Sequence, residues 1–180
     1  MKIYLAGPDV FRPDAAEWFA QARDLCRQHG YDPITPLDHG ETKPGPICAE
    51  NLALIRKAQI VVANLNSFRG AEPDSGTAFE LGYAHALGKK LWGYMSPLED
   101  LIDRVIRIDG TRHPTDEAHP IDRQGRLIEN FGLPVNLMLA MSMQIVEGDL
   151  AACLSAIRPR TKSHLPEPHH AVESATIGDG

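Results

Sequence analysis

The sequence predicts an α/β fold: a single-domain Rossmann-like or flavodoxin-like sandwich with a mainly parallel five-stranded sheet and helices on both faces. Short apolar runs alternate along the chain with longer segments of helical periodicity. The run at residues 59–65 is almost uninterrupted and apolar, which is typical of a strand covered on both faces. With 180 residues, 43% of them hydrophobic, the chain is long enough for one domain with a proper core.

The first predicted element is a strand, because residues 2–7 (KIYLAG) form an apolar run that ends at Gly-Pro. A helix follows at 14–29, where apolar residues recur at i, i+3 and i+4 and Gly30 provides a stop. Trp18 and Phe19 lie on the apolar face of this helix, so we assign both to the core.

The next elements continue the alternation. A short strand at 31–37 is made irregular by two prolines, and apolar spacing predicts a helix at 47–58. The strand at 59–65 leads through a loop into a helix at 75–88. The remaining predicted elements are a strand at 90–95, a short helix at 98–105, a strand at 142–146 and a helix at 149–158.

Two stretches have no clear period. Residues 108–132 are polar, and a loop of that length in a small domain is typically functional, as a lid or an oligomer contact. The tail at 159–180 is polar without apolar periodicity, so we expect it to be disordered or loosely attached. The predicted domain therefore spans residues 1–158.

Charge and cysteine usage restrict the partners. The formal charge is −6 and the sequence pI is about 5.7, without a basic stripe, so we expect a small ligand or another subunit rather than nucleic acid. The three cysteines, Cys26, Cys48 and Cys153, are widely spaced and odd in number, which favours reduced thiols over a disulfide framework or a zinc site.

Localisation and cofactors are also limited by what the sequence lacks. The chain begins with a strand-like run rather than a signal segment, and no apolar run approaches the roughly 18 residues of a membrane span. We therefore expect a cytoplasmic protein without a membrane partner. Motifs of the G-x-G-x-x-G, Walker A, G-x-S-x-G and H-E-x-x-H types do not occur. We expect no cofactor and no metal.

The most informative segment is EPDSGTAFELGYA at residues 72–84. It places Asp74 and Glu80 six residues apart, where a strand and loop lead into a helix. Ligands of α/β sheets bind at that edge, and the helix N-terminus favours an ionised group, which suits a nucleophilic carboxylate. The alternative is that Asp74 belongs to the N-cap region and Glu80 is a surface charge.

Paired carboxylates indicate a class of chemistry. Glycosyl transfer proceeds without a metal through a transition state that resembles an oxocarbenium ion, which a nearby anion can stabilise or trap. Two carboxylates in one pocket also allow one to be protonated while the other stays ionised.

Four segments resemble the nucleoside 2-deoxyribosyltransferase family, in the same order along the chain. They are KIYLAGPDVF (2–11), IVVANLNSFRGAEPDSGT (60–77), AFELGYAHALGK (78–89) and FGLPVNLML (131–139). The resemblance covers roughly residues 1–158.

This resemblance implies roles for individual residues. Glu80 corresponds to the nucleophile that attacks C1′ of the deoxyribose and forms a covalent intermediate, with overall retention after a second base replaces the first. Asp74 corresponds to a residue that contacts the base or supplies its proton. Tyr4 corresponds to a tyrosine that holds the nucleophile by a hydrogen bond. Asn136 corresponds to an asparagine that reaches the sugar in a neighbouring subunit's site, which implies a homo-oligomer.

Further substrate-binding residues are expected around this centre: Gly7, Phe11, Asn64, Phe68, Arg69 and Met138. Structural alternatives stay open for several assignments. Tyr4 could be plain core on a strand, Asn136 could merely cap a helix, and aromatic core packing explains both phenylalanines. The expected ligands are nucleosides and nucleobases.

The chain also departs from the family's pattern. Many relatives carry aspartates at the start and end of the strand before the loop, where this chain has Gln59 and Asn64. Asn64 keeps hydrogen-bonding ability without the charge. The means of protonating the base, and the choice between purines and pyrimidines, therefore stay open.

Three other functions compete. An N-glycoside hydrolase of deoxynucleosides or nucleoside 5′-monophosphates shares the fold and the glutamate, but phosphate recognition needs serines and backbone amides, whereas the first loop here is GPDVFRP. Cytokinin-nucleotide phosphoribohydrolases carry Pro-Gly-Gly where this chain has Pro73-Asp74-Ser75. The third alternative is a nucleotide-binding module without turnover.

Overall fold

The computed structural model describes residues 1–110 and 120–157, and five strands within them form one sheet. The strands are β1 (Lys2–Ala6), β2 (Asp32–Ile34), β3 (Ile60–Asn64), β4 (Lys90–Met95) and β5 (Gln144–Glu147). The helices are α1 (Ala15–Gln28), α2 (Pro44–Lys57), α3 (Ser75–Ala86), α4 (Leu101–Asp109), α5 (Leu137–Ala140) and α6 (Leu150–Ala156). A 3-10 turn at Pro8–Phe11 follows β1.

The strand order is β2-β1-β3-β4-β5, and every neighbouring pair is parallel. This confirms the predicted α/β class, and the order is that of flavodoxin-like folds. The order reverses between β1 and β3. Ligands of open parallel sheets bind outside the carboxyl ends of the strands at such a point. The fold therefore directs attention to the loops after Ala6 and Asn64.

The core has two halves because successive strand residues point to opposite faces. On one face, Tyr4 and Val61 pack in a cluster with apolar residues of α2 and α3. On the other face, Ile3 and Val62 pack in a cluster with α1 and α6. Phe19 is fully buried in this second half and Trp18 packs against it, which confirms their assignment to the core.

Several element bounds differ from the prediction. Helix α2 begins at Pro44, where proline suits a first helical position because its missing N–H has no intrahelical partner. Helix α4 spans Leu101–Asp109 rather than 98–105; Asp100 occupies the N-cap with extended backbone. Strand β5 begins at Gln144. Helix α5 was not among the predicted elements, because four residues are too few to show a period, although the capping alternative for Asn136 allowed a helix start there.

The irregular stretch is described only in part. Residues 108 and 109 complete α4, and residues 120–132 are irregular apart from one antiparallel bridge between Ile121 and Leu127. The remainder of that stretch, like the tail at 159–180, lies outside the described residues. Its role as a lid or an oligomer contact stays a prediction.

The three cysteines are free thiols in different surroundings. Cys26 and Cys153 are buried, which raises the pKa of Cys26 to about 11 and that of Cys153 to about 12. Cys48 is exposed on α2. In the part of the chain that the structure describes, no helix is both long and apolar enough to cross a bilayer.

Substitution of Gly93 in β4 tests how tightly the core packs on the α2/α3 face of the sheet. A Cβ there would overlap Cδ1 of Leu65 and lie 3.1 Å from Sδ of Met143. We expect Gly93→Ala to lower the free energy of unfolding by about 1–3 kcal/mol, the usual cost of overpacking a core. Urea titration measures the change.

Gly82 provides the matched control. It lies inside α3, and a Cβ there would meet nothing within 4 Å. Gly82→Ala should leave stability unchanged or raise it by up to about 1 kcal/mol, because alanine is the better helix former. Equal losses in the two variants would contradict this account of the core.

Candidate active site

A cavity of about 560 Å³ opens at the carboxyl edge of the sheet, between the segment after β1 and helices α2 and α3. Both carboxylates singled out in the sequence, Asp74 and Glu80, line it. Most of the remaining wall is apolar, with Val10, Leu37, Ile47, Leu52 and Phe79 among its residues. A small number of polar groups in an apolar cleft is typical of a small-molecule site.

Asp74 caps helix α3. One carboxylate oxygen accepts hydrogen bonds from the backbone N–H of Thr77 at 2.9 Å and from its hydroxyl at 3.0 Å. The capping alternative raised from the sequence is therefore present in the structure. The same side chain also lines the cavity, so capping fixes the position of its carboxylate there.

Glu80 lies on α3 and lines the cavity, where its carboxylate accepts a hydrogen bond from the Tyr4 hydroxyl at 2.6 Å. It is partly buried rather than a free surface charge. Burial raises its pKa to about 7; the hydrogen bond from Tyr4 opposes this change, and the nearby charge of Asp74 adds to it. Both protonation states of Glu80 are therefore accessible near neutral pH.

Tyr4 is fully buried on β1, with its side chain on the α2/α3 face of the sheet. Burial and the neighbouring charge of Glu80 raise the pKa of its hydroxyl far above the ordinary value. Tyr4 therefore remains protonated and can donate its hydroxyl hydrogen to ionised Glu80. The residue belongs to the core and meets the site through its hydrogen bond to Glu80.

Gly7 follows β1 with φ 154°, and it forms part of the cavity wall. A Cβ there would lie 2.9 Å from Cβ of Asn64 and 2.9 Å from Oδ2 of Asp9. Glycine is required because this side of the chain is already in contact with both residues.

Asn64 does not reach the cavity that holds Glu80. It pairs in register with Tyr94, so its side chain points to the α1/α6 face. There it donates to the carboxylate of Asp9 at 3.0 Å and accepts from the side chain of Asn66 at 2.7 Å. Asp9 is nearly buried, and burial is the main cause that raises its pKa.

The predicted aromatic residues form one stack. The rings of Phe11 and Phe68 lie 5.3 Å apart and nearly parallel. The guanidinium of Arg69 lies 5.1 Å from the first ring and 4.6 Å from the second, in favourable cation–π range. Phe11 lines the Glu80 cavity, whereas Phe68 and Arg69 line a neighbouring cavity toward residues 122–129.

Asn136 and Met138 lie apart from Glu80, in a separate cavity of about 530 Å³ that also contains Glu72 and His85. Asn136 caps α5 by accepting from the backbone N–H of Met138, as the capping alternative states. Its amide also donates to Glu129 at 2.5 Å. Met138 is 73% exposed.

Arg104 connects the loop that precedes Asp74 with the loop that precedes Asn136, and the sequence analysis did not identify it. It is 1% exposed in α4, and its guanidinium donates to the carbonyl of Ala71 at 2.7 Å and to that of Pro134. Burial lowers its pKa, and the charge of Glu72 opposes that effect. Its place on the apolar stripe of α4, three residues after Leu101, was the available signal.

Three further polar residues near these cavities were also missed: Glu129, His39 and Asn51. Glu129 accepts from Asn136 and from the backbone N–H of Leu137. His39 and Asn51 line the Glu80 cavity, 3.0 Å apart. Across residues 1–110 and 120–157, no group of three or more His, Cys, Asp or Glu side chains is arranged to hold a metal ion.

Comparison with known proteins gives consistent matches. A family model described as nucleoside 2-deoxyribosyltransferase matches residues 3–138. A solved 2-desoxiribosyltransferase from Leishmania mexicana is similar, with a TM-score of 0.69 and 36% identity over 84% of this chain and 93% of that one.

Two further relatives align over shorter stretches. A Schizosaccharomyces pombe protein described as uncharacterized is 36% identical over 102 residues, covering 51% of this chain and 48% of that protein. The chain thus matches about half the length of this curated relative. A 2-deoxyribosyltransferase from Bacillus psychrosaccharolyticus matches with a TM-score of 0.45 and 25% identity, over 57% of this chain and 79% of that one.

The opposing influences on Glu80 predict opposite shifts of its pKa. Tyr4→Phe removes the hydrogen bond that lowers the pKa, so the pKa should rise above about 7. Asp74→Asn removes the charge that raises it while keeping a capping oxygen, so the pKa should fall. Carboxyl ¹³C NMR titration, with the Glu80 signal identified from Glu80→Gln, measures both. Shifts in the same direction would contradict the geometry.

The raised pKa of Glu80 also predicts that Glu80→Gln stabilises the protein at alkaline pH but not at acidic pH. The pKa of Glu80 in the folded protein, about 7, exceeds its ordinary value of 4.5. Its favourable contribution to the free energy of unfolding is therefore fully present below about pH 4.5 and is lost as the pH rises through 7. Glu80→Gln never ionises and can still accept from Tyr4. We expect it to be more stable than the parent by about 1–3 kcal/mol at pH 8. Denaturant unfolding at pH 8 and pH 4.5 should show the gain only at the higher pH.

Proposed function

The chain belongs to the nucleoside 2-deoxyribosyltransferase family, and from that premise we propose that it transfers a 2-deoxyribosyl group between nucleobases. One observation carries the proposal: Glu80 lies in an apolar cavity, held by Tyr4 and beside Asp74. The expected ligands are nucleosides and free bases, without a cofactor.

The proposed reaction has two displacements at C1′. An oxygen of ionised Glu80 forms a bond to C1′ as the C1′–N bond breaks, and the departing base takes up a proton. A nitrogen of the incoming base then attacks C1′, breaks the ester and loses its proton. Two inversions give retention. The pKa near 7 supports this role, because both protonation states of Glu80 are accessible at neutral pH.

Tyr4 and Asp74 divide the supporting work in this proposal. Tyr4 holds one oxygen of Glu80 by a short hydrogen bond and limits the rotation of the carboxylate. Asp74, fixed by its capping bonds to Thr77, acts on the base side by contacting the base or supplying its proton. Phe11, at the cavity wall and stacked on Phe68, offers an aromatic face to the base.

We also propose a homo-oligomer in which Asn136 reaches the sugar in a neighbouring copy's cavity. Asn136 and Met138 line a different cavity from Glu80, so within one chain they do not share its substrate. The large exposed fraction of Met138 is consistent with burial in such an assembly. Glu129 and Arg104 hold this loop in place.

The direct test is base exchange. With 2′-deoxyinosine and adenine, we expect the protein to release hypoxanthine and form 2′-deoxyadenosine, separated by liquid chromatography. Glu80→Gln should reduce the exchange rate by at least about a thousandfold, because the nucleophile is lost. Glu50→Gln, which removes an exposed carboxylate of α2, should exchange at the parent rate.

Other products would assign other functions. Free deoxyribose with hypoxanthine, and no deoxyadenosine, would identify a hydrolase in which water replaces the acceptor base. No turnover of any nucleoside or nucleotide would identify a binding module. Parent-level exchange by folded Glu80→Gln would remove Glu80 as nucleophile.

A further inference from the structure

His39 and Asn51 form a hydrogen-bonded pair in the wall of the Glu80 cavity. Asn51 projects from α2, and His39 lies in the loop after β2. Both are partly buried, and the Nε2 of His39 lies 3.0 Å from Oδ1 of Asn51. Neither residue has a part in the proposed displacement at C1′.

A backbone contact fixes the proton of His39. The N–H of Glu41 points at Nδ1 of His39, with the two nitrogens 3.0 Å apart. A backbone N–H can only donate, so Nδ1 must offer its lone pair. In a neutral imidazole the proton is then on Nε2, which donates to Asn51.

The tautomer of His39 in turn fixes the amide of Asn51. Because Nε2–H donates, the amide must present its oxygen to the histidine and its NH₂ group in the opposite sense. Among the described residues, none accepts a hydrogen bond from this NH₂ group. Asn51 therefore brings free donors to a cavity whose walls are mainly apolar.

We propose that Asn51 is a specificity-determining residue that reads the base by donating a hydrogen bond, and that it favours bases carrying an oxo group over those carrying an amino group. This proposal rests on the proposed function. Hypoxanthine and uracil present a carbonyl oxygen where adenine and cytosine present an NH₂ group. An amino base would bring its own NH₂ donors against the NH₂ group of Asn51, so that neither group finds an acceptor in the other.

His39 acts as a positioning residue in this scheme. Without it, the amide of Asn51 could rotate by half a turn and present its oxygen, which would accept from an amino base. The backbone N–H of Glu41 therefore determines, through two hydrogen bonds, which polarity the cavity wall presents.

The test is a specificity switch. With 2′-deoxyguanosine as donor, the acceptor pairs hypoxanthine/adenine and uracil/cytosine are compared by kcat/KM in the parent and in Asn51→Asp. The new carboxylate only accepts hydrogen bonds, and His39 can still donate to it. We expect the oxo/amino ratio to exceed one in the parent and to fall at least roughly tenfold in the variant for each pair that reacts. An unchanged ratio in the variant overturns the proposal.

Two further variants separate specificity from charge and folding. Gln28→Glu adds the same charge at an exposed position of α1, outside the cavity, and should keep the parent ratio. Asn51→Ser shortens the side chain without adding charge, and the ratio should move toward one. If Asn51→Asp fails to fold, as judged by circular dichroism, the serine variant decides the question.

Equilibrium dialysis of hypoxanthine and adenine distinguishes this inference from the proposed function. If the parent does not exchange bases but binds hypoxanthine more tightly, and Asn51→Asp reverses the order, the transferase proposal fails while the inference stands. If the parent exchanges bases but neither kcat/KM nor binding discriminates oxo from amino bases, the inference fails alone.

Discussion

The hydrogen bond from Tyr4 to Glu80 joins the central sheet to the helix that carries the carboxylates. It is possible because Tyr4 lies on the side of β1 that faces α3, and because Asp74 caps the first turn of that helix. Removing the hydroxyl would leave a partly buried carboxylate without its donor. Two other features of the cavity support this pair. Gly7 allows the backbone after β1 to lie against Asn64 and Asp9, and burial among apolar walls raises the pKa of Glu80.

A second constraint acts behind the cavity. Arg104 is a buried cation whose guanidinium connects the loop before Asp74 with the loop before Asn136. A charge in that position is expensive unless its donors are used, and both loop carbonyls use them. The two loops cannot move independently without leaving Arg104 unsatisfied. Arg104 thus connects the loops that border the two cavities, although the lining residues of the cavities are separate.

Sequence patterns predicted the strand-helix alternation because the periods of 2 and 3.6 are local properties. They also brought Asp74 and Glu80 together, since both lie on one short helix. Alternation along β3 places Asn64 on the face opposite Ala63. The sequence does not show which of the two faces carries the Glu80 cavity, because that depends on how the helices pack on the folded sheet. Arg104 and Asn51 were missed because their partners are distant in sequence, and no local period encodes a contact between loops.

The three cysteines differ in solvent exposure, so a single thiol of the natural sequence can be labelled selectively. Cys48 is exposed and lines the cavity on the same helix as Asn51, whereas Cys26 and Cys153 are buried on the far side of the sheet. A thiol-selective label would therefore attach in the same cavity wall as Asn51 without engineering. The rate of its attachment would measure occupancy of the cavity directly, whichever ligand fills it and whether or not turnover occurs.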